Sequence, residues 1–226
     1  MSPYIRTTAD PAVSARFNVS PGWAAGCAEM VFADEPAAII TLSPDRTARV
    51  LTARWGMPTP GREVRTRAIQ RAYRDRVRLT DAEFEQFAAN EPDPGVGFID
   101  ASAFVWRPHL EPRGRCVVPF SALGALRPDA LPEPADDYVR PAAGSVGYLG
   151  GVFEQGWRGV RRADRGRETL DLFALVSVER IVQADLARRR FTPIVLKNDE
   201  EVAAWLTAPW SRAKALRRAP AEMLPA

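Results

Sequence analysis

Hydrophobic positions along the chain fall mostly into short runs with the spacing of β-strands. Two such runs, 37–43 and 47–55, flank the turn sequence Ser43-Pro44-Asp45-Arg46 and predict a β-hairpin. Other runs of this kind predict strands at 96–106, 114–123, 148–153 and 169–178. In residues 1–22 the hydrophobic positions show no regular spacing, and this stretch predicts an extended segment interrupted by prolines.

Helical spacing is found over 62–78, 81–90 and 199–206. In the first stretch Ile69, Tyr73 and Val77 recur every four residues, which predicts one apolar helix face with arginines around the rest. The second stretch begins with Thr80 followed three residues later by Glu83, the sequence of a capping box.

Dispersed strands with few helices predict a single α+β domain over 1–226 rather than a parallel α/β fold. Residues 127–145, rich in proline, aspartate and alanine, predict a loop excursion that is too short to separate two domains. Residues 212–226 predict a basic tail that is only partly ordered.

Composition excludes several classes of protein. A chain of 226 residues with 46% hydrophobic and 26% charged residues is typical of a soluble globular protein. It has no apolar run of membrane-spanning length and no signal sequence, so we expect a cytoplasmic protein without a membrane partner. Two cysteines and one histidine cannot build a disulfide framework or a Cys/His metal site, so we expect no metal and no cofactor.

The charge of the chain is carried almost wholly by arginine. The net charge is +3, and only Lys197 and Lys214 are lysines among 31 cations. The densest run has arginines at 62, 65, 67, 71, 74, 76 and 78. This run fits two interpretations. It is either a solvated helix whose arginines reflect a GC-rich genome, or a positively charged surface that binds a nucleic-acid backbone, in which Arg67, Arg71 and Arg74 would contact phosphates.

Six short segments, followed by Trp205-Leu206, occur along the chain in the same order as similar segments of one known family. They are Arg-Phe-Asn-Val-Ser-Pro at 16–21, Arg-Trp-Gly-Met at 54–57, Ile-Asp-Ala-Ser-Ala at 99–103, Arg-Cys-Val-Val-Pro at 115–119, Gly-Val-Phe-Glu at 151–154 and Pro-Ile-Val-Leu at 193–196. In this order they resemble the landmarks of the SOS-response-associated peptidase (SRAP) family, which processes abasic sites in single-stranded DNA. The resemblance covers about 16–206 and is thin between the landmarks.

The resemblance implies both a fold and a partner. It implies a mainly antiparallel sheet curled into a partly open barrel with flanking helices. It also implies binding of single-stranded DNA at sites of DNA damage, and a location on the nucleoid when DNA is bound. By this comparison Asn18, Arg54, Trp55 and Asp100 would line the DNA groove.

The chain departs from the family at most positions that carry chemistry. In the family a cysteine after the initiator methionine captures the abasic aldehyde with its thiol and amine; here that position is Ser2. The family's asparagine falls on Asp100, its glutamate on Ala125, and its late histidine near Arg189. Alanine and arginine exchange no proton near neutral pH, so covalent crosslinking to DNA is predicted to be lost.

Two other functions stay open. The α-amine of Ser2, once Met1 is removed, could act as a Schiff-base nucleophile in a residual abasic-site lyase. Alternatively, the fold could serve as a protein-interaction scaffold that has lost DNA. A basic groove bearing exposed aromatic residues would favour DNA, and an acidic or filled groove would favour the scaffold.

Each candidate residue also has a structural interpretation. Trp55 fits a core residue with Arg54 on the surface, and Asn18 next to Ser20-Pro21 fits a turn. Cys116 lies in an apolar run and is predicted to be buried and inert, and Cys27 is also predicted to be structural.

Two further polar residues are predicted to have ordinary roles. Glu154 is predicted to pair with an arginine. His109, which follows a proline, is predicted to be solvated.

Overall fold

The β-hairpin predicted from the sequence is part of a larger curled sheet. We describe the protein from a computed structural model, which describes residues 2–126, 137–142, 145–178 and 192–218. Its strands are β1 Ser2–Thr7, β2 Met30–Phe32, β3 Pro36–Leu42, β4 Ala48–Trp55, β5 Phe98–Asp100, β6 Arg115–Leu126, β7 Asp137–Val139, β8 Gly147–Val160, β9 Arg167–Ser177 and β10 Val195–Leu196. The β3–β4 hairpin forms as predicted.

The strands follow the order β10-β8-β9-β4-β3-β6-β1-β2, with β5 on β9 and β7 on β6. A further pairing between β8 and β6 joins β3, β4, β9, β8 and β6 in a ring of hydrogen-bonded strands. Pairs β4–β9 and β5–β9 are parallel and the other pairings between these strands are antiparallel, so the sheet is mixed. The described residues thus confirm one α+β domain with a curled sheet.

Alternating side chains divide the core into two clusters. On β3, Ile39 belongs to one cluster and Ile40 to the other, as expected for a strand that is buried on both faces. The first cluster takes residues from all five strands of the ring, among them Trp55 and Phe173. The second cluster also takes Trp205 and Leu206 from a C-terminal helix, so this helix closes one face of the sheet.

The helices are α1 Pro11–Phe17, α2 Gly61–Arg74, α3 Asp81–Ala89, α4 Asp199–Thr207 and α5 Trp210–Ala213. Short 3₁₀ segments are found at Phe104–Leu110, Pro112–Gly114 and Lys214–Leu216. The capping box at the start of α3 is confirmed: the hydroxyl of Thr80 accepts the Glu83 N–H at 3.4 Å, and the Glu83 carboxylate accepts the Thr80 N–H at 2.8 Å. None of the helices in the described ranges is long and apolar enough to cross a membrane.

Several boundary predictions were wrong. The extended segment predicted at 1–22 contains β1 and α1, and α1 begins where Asp10 accepts the N–H of Ala12 at 2.8 Å. The strand predicted at 96–106 is only three residues long, because the chain turns into the 3₁₀ segment Phe104–Leu110.

The predicted loop at 127–145 contains β7, and residues 127–136 and 143–144 lie outside the described residues. Of the tail at 212–226, residues up to 218 are described and continue α5 into a 3₁₀ turn.

Candidate nucleic-acid interface

Arg54 and Trp55, predicted to lie in the DNA groove, both have partners within the protein. Arg54 is the second-last residue of β4, and its guanidinium donates to the carbonyl oxygen of Asp34 at 3.2 Å and lies 3.6 Å from the Asp34 carboxylate. Asp34 is held there by a left-handed backbone conformation, with φ of 66°, in the turn between β2 and β3. A phosphate would therefore have to compete with this carboxylate for Arg54.

Trp55 is a core residue, in agreement with the structural alternative. Its side chain is fully buried, and its indole N–H donates to the carbonyl oxygen of Gly97 at 2.8 Å. The ring stacks on Phe173 with 6.5 Å between centroids and meets Phe98 edge-on at 5.6 Å. In this conformation the ring has no free face for a base.

Behind Arg54 lies a buried arginine that the sequence did not single out. Arg161, near the end of β8, donates to the carbonyl oxygen of Asp93 at 3.0 Å and to that of Gly56. Its Nε atom lies 3.9 Å from the Asp34 carboxylate, and its guanidinium lies over the Trp157 ring at 4.8 Å. Burial lowers the pKa of Arg161, and the negative charges of Asp93 and Asp34 oppose that shift.

Asp100 is held by a hydrogen bond and an ion pair. Its carboxylate accepts the backbone N–H of Ser102 at 2.8 Å and lies 3.7 Å from the guanidinium of Arg217. Arg217 also donates to the carbonyl oxygens of Ser177 and Val178, so it fastens the C-terminal segment to the end of β9. Asp100 therefore stabilises the fold through Arg217.

Two positions that the family comparison links to chemistry lie on adjacent strands. In the antiparallel β1–β6 pair, Ser2 lies opposite Leu126 and Pro3 lies opposite Ala125. Ser2 and Ala125 are therefore one residue out of register, so the pairing does not place them on the same face of the sheet. Met1 and Arg189 lie outside the described residues.

Asn18 caps the C-terminus of α1. It has a left-handed backbone with φ of 50°, its N–H bonds to the Ser14 carbonyl, and its side chain is exposed. This agrees with the turn interpretation, since asparagine tolerates this conformation well.

The three arginines chosen on α2 are all paired with acids of the chain itself. Arg71 lies 2.8 Å from the Glu91 carboxylate, Arg67 lies 3.6 Å from that of Asp93, and Arg74 lies 3.0 Å from that of Asp75. The pairs of Arg67 and Arg71 turn their side of the helix toward the domain, whereas Arg74 pairs with its neighbour in the chain. The apolar residues of the predicted face, Ile69, Tyr73 and Val77, are exposed, and Val77 lies beyond the helix, which ends at Arg74 and not at 78.

The 3₁₀ segment after Asp100 presents an aromatic residue and a cation together. Phe104 is 77% exposed, and the Arg107 guanidinium lies 5.0 Å from its ring centroid. Val105 beside them is also exposed. The sequence did not indicate this pair, because the hydrophobic run 96–106 predicts a strand that would include Phe104.

His109 and Glu154 pair with each other, not with solvent and an arginine as predicted. The imidazole Nε2 lies 3.4 Å from the Glu154 carboxylate, and the ring meets Trp106 edge-on at 6.0 Å. His109 lies in the same 3₁₀ segment as Phe104. The pair therefore anchors this segment to β8.

The two thiols fit structural roles. Cys116 is fully buried, and burial raises the pKa of its thiol; burial also raises the pKa of the partly buried Cys27. Among the described residues, no three His, Cys, Asp or Glu side chains are grouped so that they could hold a metal ion.

No protein-family model and no curated protein matches the chain. Two solved structures from Bordetella bronchiseptica are similar in fold. One is a protein of 15% identity with a TM-score of 0.55, covering 97% of this chain and 95% of that chain. The other is a phage-related protein of 14% identity with a TM-score of 0.54, covering 99% of this chain and 89% of that chain. At such low identity the likeness shows the fold alone.

Proposed function

We propose that this protein is an SRAP-like protein that binds single-stranded DNA without forming a covalent crosslink, at abasic or gapped sites of damaged DNA. The observation that carries the proposal is the exposed Phe104 ring with the Arg107 guanidinium beside it. This pair comes directly after the segment at 99–103, which contains Asp100 and resembles a family landmark.

The chemistry of this pair favours an unpaired base next to a phosphate. An exposed aromatic ring offers a stacking face to any base, and such stacking is worth about 1–3 kcal/mol per base. Arg107 makes no ion pair with another of the described residues, so its charge is available for a phosphate. Duplex DNA keeps its bases stacked inside, so a single strand fits the pair better.

The loss of covalent chemistry rests on Ser2 and Ala125. The hydroxyl of Ser2 stays protonated near neutral pH and cannot replace a cysteine thiolate as nucleophile. Ala125 on the adjacent strand supplies no acid or base. Binding is therefore proposed to be reversible and salt-dependent.

The test compares the affinity of variants for a fluorescein-labelled single strand by anisotropy. Phe104→Ala and Arg107→Gln are each expected to weaken binding by about 1–3 kcal/mol, a factor of about 5–150. The wild-type protein is expected to bind the single strand more tightly than the duplex, and to bind it less tightly as salt is raised.

Two matched controls separate this contact from general charge and hydrophobicity. Arg165→Gln removes one exposed arginine from the turn between β8 and β9, and Tyr73→Ser removes one exposed aromatic ring from α2. Neither is expected to change the affinity more than twofold, on the order of 0.4 kcal/mol. Equal losses in the control variants, or equal affinity for single strand and duplex, would contradict the proposal.

A further inference from the structure

Ile69 and Tyr73 on the outward face of α2, with Val77 just after its end, form an apolar row rimmed by exposed arginines, and this row is distinct from the Phe104–Arg107 pair. Most amphipathic helices bury their apolar side. Here the inward side of α2 holds the small residue Ala68 and paired arginines: Arg67 lies 3.6 Å from the Asp93 carboxylate, and Arg71 lies 2.8 Å from that of Glu91. The guanidinium of Arg71 also lies over the Phe87 ring at 4.0 Å.

Because the charged side faces inward, the apolar row faces outward. Ile69 is 52% exposed, Tyr73 88% and Val77 43%. They are three of the five exposed large hydrophobic side chains of the described residues. Ile69 and Tyr73 lie one turn apart on α2, and Val77 follows the end of the helix and the left-handed Arg76. The remaining two, Phe104 and Val105, belong to the 3₁₀ segment.

Three arginines rim this apolar row. Arg62 lies two helical turns before Ile69 and so projects from the same side of α2, while Arg76 and Arg78 flank Val77. All three are exposed, and within the described ranges none of them makes an ion pair. Glu63 is the acidic residue in the first turn of the helix, so the rim stays net positive.

We infer that this row is a docking surface for an acidic amphipathic helix of a partner protein. Apolar side chains at helical spacing fit the ridge of a second helix, and the arginine rim fits carboxylates on either side of that ridge. Ile69 and Val77 are aliphatic and offer a base no ring to stack on, so most of the row fits apolar side chains of a helix better than a nucleic-acid strand.

A second copy of this chain fits the surface badly. In a two-fold dimer through this row, the same patch would face itself. Arg62, Arg76 and Arg78 of each copy would then meet positive charge, which is unfavourable. An acidic partner removes this repulsion.

The test uses a labelled synthetic helical peptide with leucines at i, i+3, i+4 and i+7 and glutamates elsewhere. It is expected to bind the wild-type protein, and Ile69→Ser/Tyr73→Ser is expected to weaken this binding by about tenfold or more. Arg76→Gln/Arg78→Gln is expected to weaken it and to reduce its salt dependence. A peptide of the same pattern with lysines in place of glutamates is expected not to bind.

Matched measurements separate this surface from the DNA contact. Phe104→Ser removes an exposed aromatic ring elsewhere and should leave peptide binding unchanged, and circular dichroism melts verify that each variant is folded. Failure of the acidic peptide to bind, or equal binding to the wild-type protein and Ile69→Ser/Tyr73→Ser, overturns the inference. Loss of single-strand binding in Ile69→Ser/Tyr73→Ser would assign the row to DNA and also overturn it.

Discussion

Arg161 joins three parts of the chain that are far apart in sequence. Its guanidinium donates to carbonyl oxygens after β4 and before β5, and it packs on Trp157 of β8, the strand that ends just before it. A buried arginine needs such partners because unpaired charge is costly inside a protein. The close approach depends on Gly95: a Cβ built there would meet the guanidinium and would lie 3.1 Å from the Gly56 carbonyl oxygen.

We therefore expect Gly95→Ala to destabilise the protein more than a glycine change elsewhere. Gly95 has φ of 74° and Gly166 has φ of 67°, but a Cβ at Gly166 would meet open space. Each alanine variant should lose about 1–2 kcal/mol to its left-handed backbone. Gly95→Ala should lose about 1–3 kcal/mol more, because Arg161 must leave its carbonyl partners. Urea unfolding measures both, and equal losses would show that the contact with Arg161 is unimportant.

At the scale of single residues, the sequence indicates candidate residues better than it indicates what surrounds each of them in the fold. The sequence offered Trp55 both as a DNA contact and as a core residue, and the partners of Trp55 and Arg54, Gly97 and Asp34, come from other segments of the chain. Local sequence carries no signal for such distant partners. Arg161 was missed for the same reason, since nothing around it distinguishes it from the exposed Arg162.

At the scale of the element, α2 shows that helical spacing predicts the helix but not the side that it buries. The rule that the apolar stripe faces the core assumes that hydrophobic contact holds the helix. In α2 the contact is made by arginines and by carboxylates from α3 and the loop after it. By contrast, α3 was predicted well because its capping box is local, and α1 was missed although Asp10-Pro11 is a typical helix start.

An arginine of α2 whose ion pair is mostly buried should matter for stability, and one whose ion pair is exposed should not. Arg71 and Glu91 are largely buried together, so Arg71→Gln leaves a carboxylate without its partner and should cost about 1–3 kcal/mol. Arg74 and Asp75 are exposed, so the matched Arg74→Gln should stay within about 0.5 kcal/mol. Thermal melts check this at about 2–4 °C of Tm per kcal/mol. Similar small shifts in both variants would mean that α2 is held by something else.

At the scale of the whole molecule, the landmark segments are mostly parts of the core. Trp55, Ile99, Cys116 and Val152 are all buried on strands of the sheet. Trp205 completes this group, because its indole N–H donates to the carbonyl oxygen of Cys116 at 2.9 Å. These landmarks therefore carry information on packing, which explains why the curled sheet could be predicted while the exposed surfaces could not.

The proposed loss of covalent chemistry can be tested on the intact protein. The positions where the resemblance would place a thiol and an acid hold Ser2 and Ala125, which supply neither group. We expect no heat-stable adduct between the wild-type protein and an abasic single strand, on denaturing gels after heating. Ser2→Cys alone should also fail, because the effects of groups that act as a unit in catalysis are strongly non-additive.

Three measurements control this experiment. Anisotropy on the same samples verifies that DNA is bound, a strand with intact bases controls for background, and the intact mass of the protein reports whether Met1 is removed. If Met1 is removed, borohydride should trap at most a weak imine at the Ser2 amine, whereas efficient trapping would favour the residual lyase. A heat-stable crosslink formed by the wild-type protein would overturn the proposal of reversible binding.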